Sequence, residues 1–199
     1  MKKKLILSLS ILVLFISCQN ESKIEQDIAK IDVDLNIERF DEIFSKAQPE
    51  NLLKLKTEYP FLFSKHIPDS VWIINMKDTL QQQLYSEVAK IKEFEGIEND
   101  IRSLFKHLKY YDKTFKEPRV ITLTNFVDFR NKTIVTDTIV LVALDNYLGK
   151  DHEFYADIPK FLTQNMNSSQ IVSDLATDYA QKYIYQSLYN HYFKTTQHH

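Results

Sequence analysis

The chain has 199 residues with 25 basic and 27 acidic side chains, and it contains 13 phenylalanines and 11 tyrosines but only two glycines. This composition excludes disordered, collagen-like and low-complexity proteins, and the length suits one domain with a sizeable core. The small negative net charge of −2, without a basic stripe after Lys4, argues against a nucleic-acid partner.

The N-terminal residues have the pattern of a bacterial lipoprotein signal. Three lysines, Lys2 to Lys4, precede a mainly apolar run of twelve residues, which is followed by Ser17 and Cys18. A helix of that run is about 18 Å long, well short of the roughly 30 Å hydrocarbon core of a bilayer. We therefore expect residues 1–17 to be a cleaved signal peptide and Cys18 to become the lipidated first residue of the mature protein. Two or more acyl chains would make that anchor stable.

Cys18 is also the single cysteine of the chain, so no intrachain disulfide can form. The alternative is an ordinary buried thiol, but free cysteines usually lie in a core, and a polar stretch, Gln19 to Lys23, follows this one. The sequence therefore predicts a lipid-anchored protein of the cell envelope that faces the periplasm. Gln19, in place of an aspartate after the cysteine, favours the outer over the inner membrane.

Residues 18–30 are polar and are predicted to form a tether, with the ordered domain spanning residues 31–199. Apolar residues then alternate with polar ones from Ile31 to Glu38, which predicts an edge strand with one buried face. Phe40 and Phe44 indicate a helical turn. Pro49 is predicted to open a short helix that ends before Pro60.

Two amphipathic helices are predicted in the middle of the chain. The first runs from Lys77 to Phe94 and ends at Gly96, and the second carries apolar residues from Ile97 to Leu108. Phe61 and Phe63, which precede both helices, are expected to be core anchors.

The second half of the chain begins with β-branched and aliphatic runs. They predict three strands, Val120–Leu123, Lys132–Val135 and Ile139–Leu144, at least two of them in a meander and the last one central. A loop to Pro159 and a long final helix, capped by Ser168 or Ser169, complete the chain. The sum is an α+β fold with helices packed on a small mixed or antiparallel sheet.

One polar cluster follows the predicted central strand, at Asp145, Tyr147, Gly149 and His152. Asp145 could act there as a ligand of a hard cation or as a general base with His152 nearby. The same residues also suit a plain turn, in which Asp145 caps, Gly149 supplies a positive φ and Tyr147 packs. The sequence leaves both interpretations open.

A second pair of acids, Asp174 and Asp178, lies one turn apart on the predicted final helix. The pair could share a metal, although a solvated helix flank is the commoner arrangement. HExxH, GxSxG and phosphate-loop motifs are absent from the sequence.

The ordered motifs resemble the gliding motility lipoprotein GldB family of the Bacteroidetes. The resemblance covers nearly the whole mature chain, and it rests on DLNIERFD (34–41), YPFLF (59–63), VW (71–72), KYYDKTFKEPRVI (109–121), ALDNYLGKDHEFY (143–155) and IPKFL (158–162). It implies an envelope lipoprotein required for surface gliding and linked to the type IX secretion machinery, without an established enzymatic activity. The implied partners are membrane lipid at Cys18 and other gliding or type IX secretion proteins, and no cofactor or metal is implied.

Two departures accompany this resemblance. Proteins of the family continue past the position of His199, so the chain is expected to lack part of its C-terminal region. Strands followed by a long helix are similar to zinc peptidases of the zincin type, but the helix here, IVSDLATDYA (171–180), has no histidine. We therefore expect at most a degenerate zincin-like domain without catalytic residues, and only Cys18 takes over a defined role from the family.

Three hypotheses follow for the function. The first is a nonenzymatic, lipid-anchored envelope protein that supports gliding by contact with other proteins. The second is a metal-binding or metallohydrolase-like module that uses Asp145 and His152, with Asp174 or Asp178. The third is a solute-binding lipoprotein, which a cavity lined by aromatic side chains would favour.

Overall fold

The computed structural model describes residues 23–91 and 94–196, with side chains up to residue 187. The predicted signal peptide and Cys18 lie outside this part. Within it, eight α-helices pack on one four-stranded mixed sheet, which confirms the predicted α+β class. None of the described helices is both long enough and apolar enough to cross a bilayer.

The sheet consists of β1 (Ile37–Arg39), β2 (Arg119–Leu123), β3 (Thr133–Val135) and β4 (Ile139–Ala143). Its order is β1-β2-β4-β3, with β1, β2 and β4 mutually parallel and β3 antiparallel to β4. The predicted edge position of the first strand, the hairpin and the central last strand are all confirmed. Because three strands are parallel, their carboxyl ends meet at one edge of the sheet.

The helices contribute most of the remaining structure. They are α1 (Lys23–Ala29), α2 (Phe40–Ser45), α3 (Leu52–Glu58), α4 (Asp69–Lys77), α5 (Thr79–Val88), α6 (Phe94–Tyr111), α7 (Lys160–Thr163) and α8 (Ile171–Thr196). Short 3-10 turns lie at Pro49–Asn51, Pro60–Leu62, Leu144–Asn146, Glu153–Tyr155 and Ser168–Gln170.

Each face of the sheet carries its own hydrophobic core. Val120 packs on the first core with α6 and α8, where Phe105 and Leu175 are fully buried. Ile121, the next residue of β2, packs on the second core with the aromatic side chains of α2 and with Tyr59 and Phe63. Successive residues of a strand point to opposite faces, so β2 and β4 supply both cores at once.

The structure corrects the predicted start of the ordered domain. Residues 23–29, assigned to the tether, form helix α1, and its Ile28 is only 2% exposed. Residues 31–36 show the predicted alternation of burial, with Val33 and Leu35 buried, but the strand itself begins only at Ile37.

The predicted helix from Lys77 to Phe94 is also corrected. Helix α5 begins after Asp78, whose carboxylate accepts a hydrogen bond from Gln81 N (2.8 Å), and it ends at Val88. Leu80 is 59% exposed, so the buried stripe does not start there. Gly96 is not a stop, because it lies in the first turn of α6. Phe63 is a core residue as expected, whereas Phe61 is exposed.

Candidate functional site

Polar side chains, three of them buried, gather at the sheet edge where the three parallel strands end. Asp41 follows β1, Asn125 follows β2, and Asp145 and Asn146 follow β4. Ligands of open α/β sheets bind at such an edge, outside the carboxyl ends of the strands. The sequence predicted a site at Asp145 but did not connect it with Asp41 or Asn125, which lie far away in the chain.

Asp145 is fully buried, and its carboxylate accepts hydrogen bonds from the loop that follows β2. Both of its oxygens lie 3.1 Å from Asn125 N, and Oδ2 lies 2.7 Å from Val127 N. Phe126 and Val127 have φ angles of 59° and 57°, the left-handed region that β-branched residues rarely adopt. The carboxylate thus sits in a concave group of backbone N–H donors and holds this strained loop in place.

Burial raises the pKa of Asp145 to about 6, although the backbone N–H groups of Val127 and Asn125 lower it. The rest of the turn is also tied down by hydrogen bonds. Tyr155 Oη donates to the carbonyl oxygen of Asp145 (2.7 Å), and Asn146 Nδ2 donates to Asn125 Oδ1 (2.8 Å). Asp145 therefore acts as an internal clamp, with its oxygens occupied by the loop.

The turn interpretation of Tyr147 and Gly149 is confirmed. Gly149 has a φ of 115°, and its N–H donates to the Met166 carbonyl (2.9 Å). Tyr147 is 2% exposed and donates its hydroxyl proton to Asp174 (2.8 Å). Burial, together with the neighbouring Asp174, raises the pKa of Tyr147 well above its usual range.

The two acids of the final helix do not share a partner. Each of them binds a different side chain in or next to strand β3. Lys132 Nζ lies 2.5 Å from Asp174 Oδ2, and Thr133 Oγ1 donates to Asp178 Oδ2 at 2.5 Å. Burial raises the pKa of Asp178, an effect that the Thr133 hydroxyl opposes. The pair therefore forms a polar seam between α8 and β3 instead of a solvated flank.

His152 does not join Asp145. Its Nε2 lies 3.4 Å from Glu87 Oε2 on α5, and its ring stacks on Phe154 with an angle of 12° between the planes. The two side chains predicted to act together have separate partners. Among the side chains of residues 23–91 and 94–187, no cluster of three or more acidic, histidine or cysteine residues could hold a metal ion.

A cleft of about 330 Å³ opens beside this edge, on the side of the second core. Its walls are largely aromatic and come from α2, residues 62–63, α4, α5 and the loop after β2. Phe44, Phe63, Trp72, Tyr85 and Phe126 are among them. Burial raises the pKa of Tyr85 to about 12, which keeps its hydroxyl neutral.

Two polar atoms at the cleft have no hydrogen-bond partner in the described part of the chain, Gln81 Oε1 and Trp72 Nε1. Neither residue belongs to a motif that would have indicated a site in the sequence. The available signal was the spacing of Gln81, which lies three residues before Leu84 and seven before Val88, on the buried stripe of α5.

Asp41, also at the cleft, is 3% exposed and paired. Its carboxylate accepts two hydrogen bonds from Arg39 (3.0 and 2.7 Å) and a third from the Thr122 hydroxyl. The buried charge is therefore balanced within the protein.

The sequence profile of the family described as gliding motility protein GldB matches residues 21–194. Searches of curated proteins and of solved structures found no significant match. The matched span covers most of the 199 residues, so the chain belongs to the GldB family.

Proposed function

We propose that this member of the gliding motility protein GldB family is a lipid-anchored envelope protein that acts by contact with other envelope proteins, without catalysis. Acyl chains on Cys18 hold it at the membrane, with the outer membrane as the favoured location, and the domain faces the periplasm. Its partners belong to the gliding and type IX secretion machinery.

The observation that best supports a contact role is that the candidate catalytic acids are hydrogen-bonded to other groups of the protein. The oxygens of Asp145 accept hydrogen bonds from backbone N–H groups. Asp174 binds Lys132 and Tyr147, and Asp178 binds Thr133 of β3. A general base or a metal ligand needs a lone pair that is open to its substrate or ion. These acids instead stabilise the fold.

The surface supports the same role. Ile184 and Tyr185, adjacent on α8, expose 58% and 72% of their surface. Phe161, on α7, is 76% exposed as well, and each of these positions offers apolar area that a protein partner could cover.

The experiment is a spreading assay in a strain that lacks the native protein. Replacing Cys18 with serine removes the acyl acceptor, so we expect loss of membrane anchoring and of gliding. Ser10→Ala, inside the apolar run of the signal, should be processed normally and restore spreading. Normal gliding by the Cys18→Ser protein would refute the anchored role.

The same assay tests the metallohydrolase alternative. His152→Gln removes the imidazole while the residue stays close in size, and the contact role predicts unchanged spreading. Loss of spreading with a folded His152→Gln protein, together with stoichiometric metal in the purified wild type, would favour hydrolase chemistry instead.

A further inference from the structure

We propose that the cleft beside β2 binds a small neutral molecule that combines an aromatic or branched aliphatic group with an amide. This inference goes beyond the contact role in gliding and does not depend on it. It specifies the kind of ligand that a solute-binding role would require.

The size and the walls of the cleft suit such a molecule. Its volume of about 330 Å³ lies within the range of small-molecule pockets. Phe63 and Trp72 meet edge to face with their ring centres 4.9 Å apart, and Phe40 and Phe44 extend the aromatic wall. An apolar group placed there would be enclosed by rings on several sides.

The two unpaired polar atoms of the cleft would be satisfied by a ligand that carries one hydrogen-bond donor and one acceptor. Gln81 is 2% exposed, and its Nε2 is engaged by Thr124 Oγ1 at 3.0 Å, which leaves Oε1 as an unpaired acceptor. Trp72 Nε1 is an unpaired donor at the same cleft. Leaving such groups buried and unpaired is unfavourable. A ligand that reaches them could pair an amide N–H with Gln81 Oε1 and a carbonyl oxygen with Trp72 Nε1.

The charge of the cleft argues for a neutral ligand. Among the residues that the structure describes, Asp41 is the single charged side chain in the lining, and Arg39 already pairs with it through two hydrogen bonds. A carboxylate or phosphate would find no cation in this lining, and an ammonium group would have to compete with Arg39. Burying either charge without a partner is costly.

The clamp at Asp145 gives the cleft a fixed wall. Phe126 lines the cleft from the loop that the Asp145 carboxylate holds through Asn125 N and Val127 N. A strained backbone persists only where the surroundings over-determine it, and such strain clusters at binding sites. The loop therefore holds Phe126 at the wall of the cleft, with 62% of its surface exposed.

The test uses the sole tryptophan of the chain, Trp72, as a reporter inside the cleft. Phenylacetamide, phenylacetate and phenethylammonium share one ring and differ only in a neutral amide, an anion or a cation. Each is titrated into the lipidated protein in phospholipid nanodiscs while the fluorescence of Trp72 is followed. We expect saturable binding of phenylacetamide in the millimolar range and at least about tenfold weaker binding of both charged probes.

Two variants locate the site. Gln81→Leu keeps the volume but removes the amide, and it should weaken phenylacetamide binding about tenfold. Ile74→Ala, at an exposed position of the same helix as Trp72, should leave binding unchanged. Absence of saturable phenylacetamide binding to the wild type would overturn the proposal, as would equal binding of the charged probes. A folded Gln81→Leu protein with wild-type affinity would also overturn it.

Discussion

At the scale of single residues, two opposing effects determine the pKa of the Asp145 carboxyl group. Desolvation favours the neutral acid, whereas the N–H groups of Asn125 and Val127 favour the carboxylate. Burial outweighs the hydrogen bonds, and the pKa rises from the ordinary 3.8 to about 6. The folded protein therefore holds this proton more tightly than the unfolded chain does.

This difference predicts a pH-dependent stability. The contribution of Asp145 is fully present below the unfolded pKa of about 3.8 and is lost as the pH rises through the folded pKa of about 6. From about pH 4 to about pH 7, the free energy of unfolding of the wild type should fall by roughly 2–3 kcal/mol relative to Asp145→Asn. Urea denaturation of both proteins at the two pH values measures it. Parallel pH profiles for the two proteins would contradict the raised pKa.

The sequence located the turn at Asp145 but not the partners of its side chains. A strand followed by polar residues and a glycine was enough to predict the positive φ of Gly149 and the packing of Tyr147, because both are local properties. The donors to Asp145 come from residues 125–127, and His152 turns to Glu87 on another helix. Such distant pairings leave no periodic signal in a single sequence.

At the scale of elements, helix α6 explains why residues 31–36 are not a strand. Arg102 Nη1 donates to the Val33 carbonyl (2.8 Å), Lys106 to that of Ala29 (2.9 Å) and Lys109 to that of Asp32 (3.1 Å). These basic side chains lie along one face of the helix and satisfy carbonyls that a neighbouring strand would otherwise use. The alternation of apolar residues predicted which side chains are buried, but it could not distinguish this arrangement from a sheet.

Removing Arg102 should therefore loosen the segment between α1 and β1. In Arg102→Ala, the carbonyls of Val33 and Leu35 lose their donor, and the free energy of unfolding should fall by about 1 kcal/mol. Amide hydrogen exchange of residues 29–36 should rise more than that of β4. Asp100→Ala, at an exposed position of α6, is the matched control and should change neither value. Equal protection of residues 29–36 in both variants would show that the arginine does not hold this segment.

At the scale of the whole molecule, one sheet is the wall of two separate cores. Alternate residues of β2 and β4 enter opposite cores. Loss of packing on one face of the sheet therefore also affects the strands that complete the core on the other face. The same geometry places the cleft and the α6–α8 core on opposite sides of the sheet. Stability at the cleft should therefore depend on residues that never touch it.

Phe105 and Trp72 allow a direct test of this coupling, since Phe105 is fully buried in the first core and Trp72 packs on the second. Phe105→Ala should lower the free energy of unfolding by about 3–5 kcal/mol because it leaves a cavity between α6 and α8. Trp72 fluorescence and far-ultraviolet circular dichroism should then shift together to lower urea concentration. Phe61→Ala, at a position that is 41% exposed, should cost much less.

A shift of the dichroism signal alone, with the Trp72 transition unchanged, would mean that the two faces unfold independently. The cleft would then be a separately stable unit, and the shared strands would not transmit the loss of the first core. Coincident transitions instead require that β2 and β4 unfold as one with both cores, as expected when the same strands complete the packing on each side.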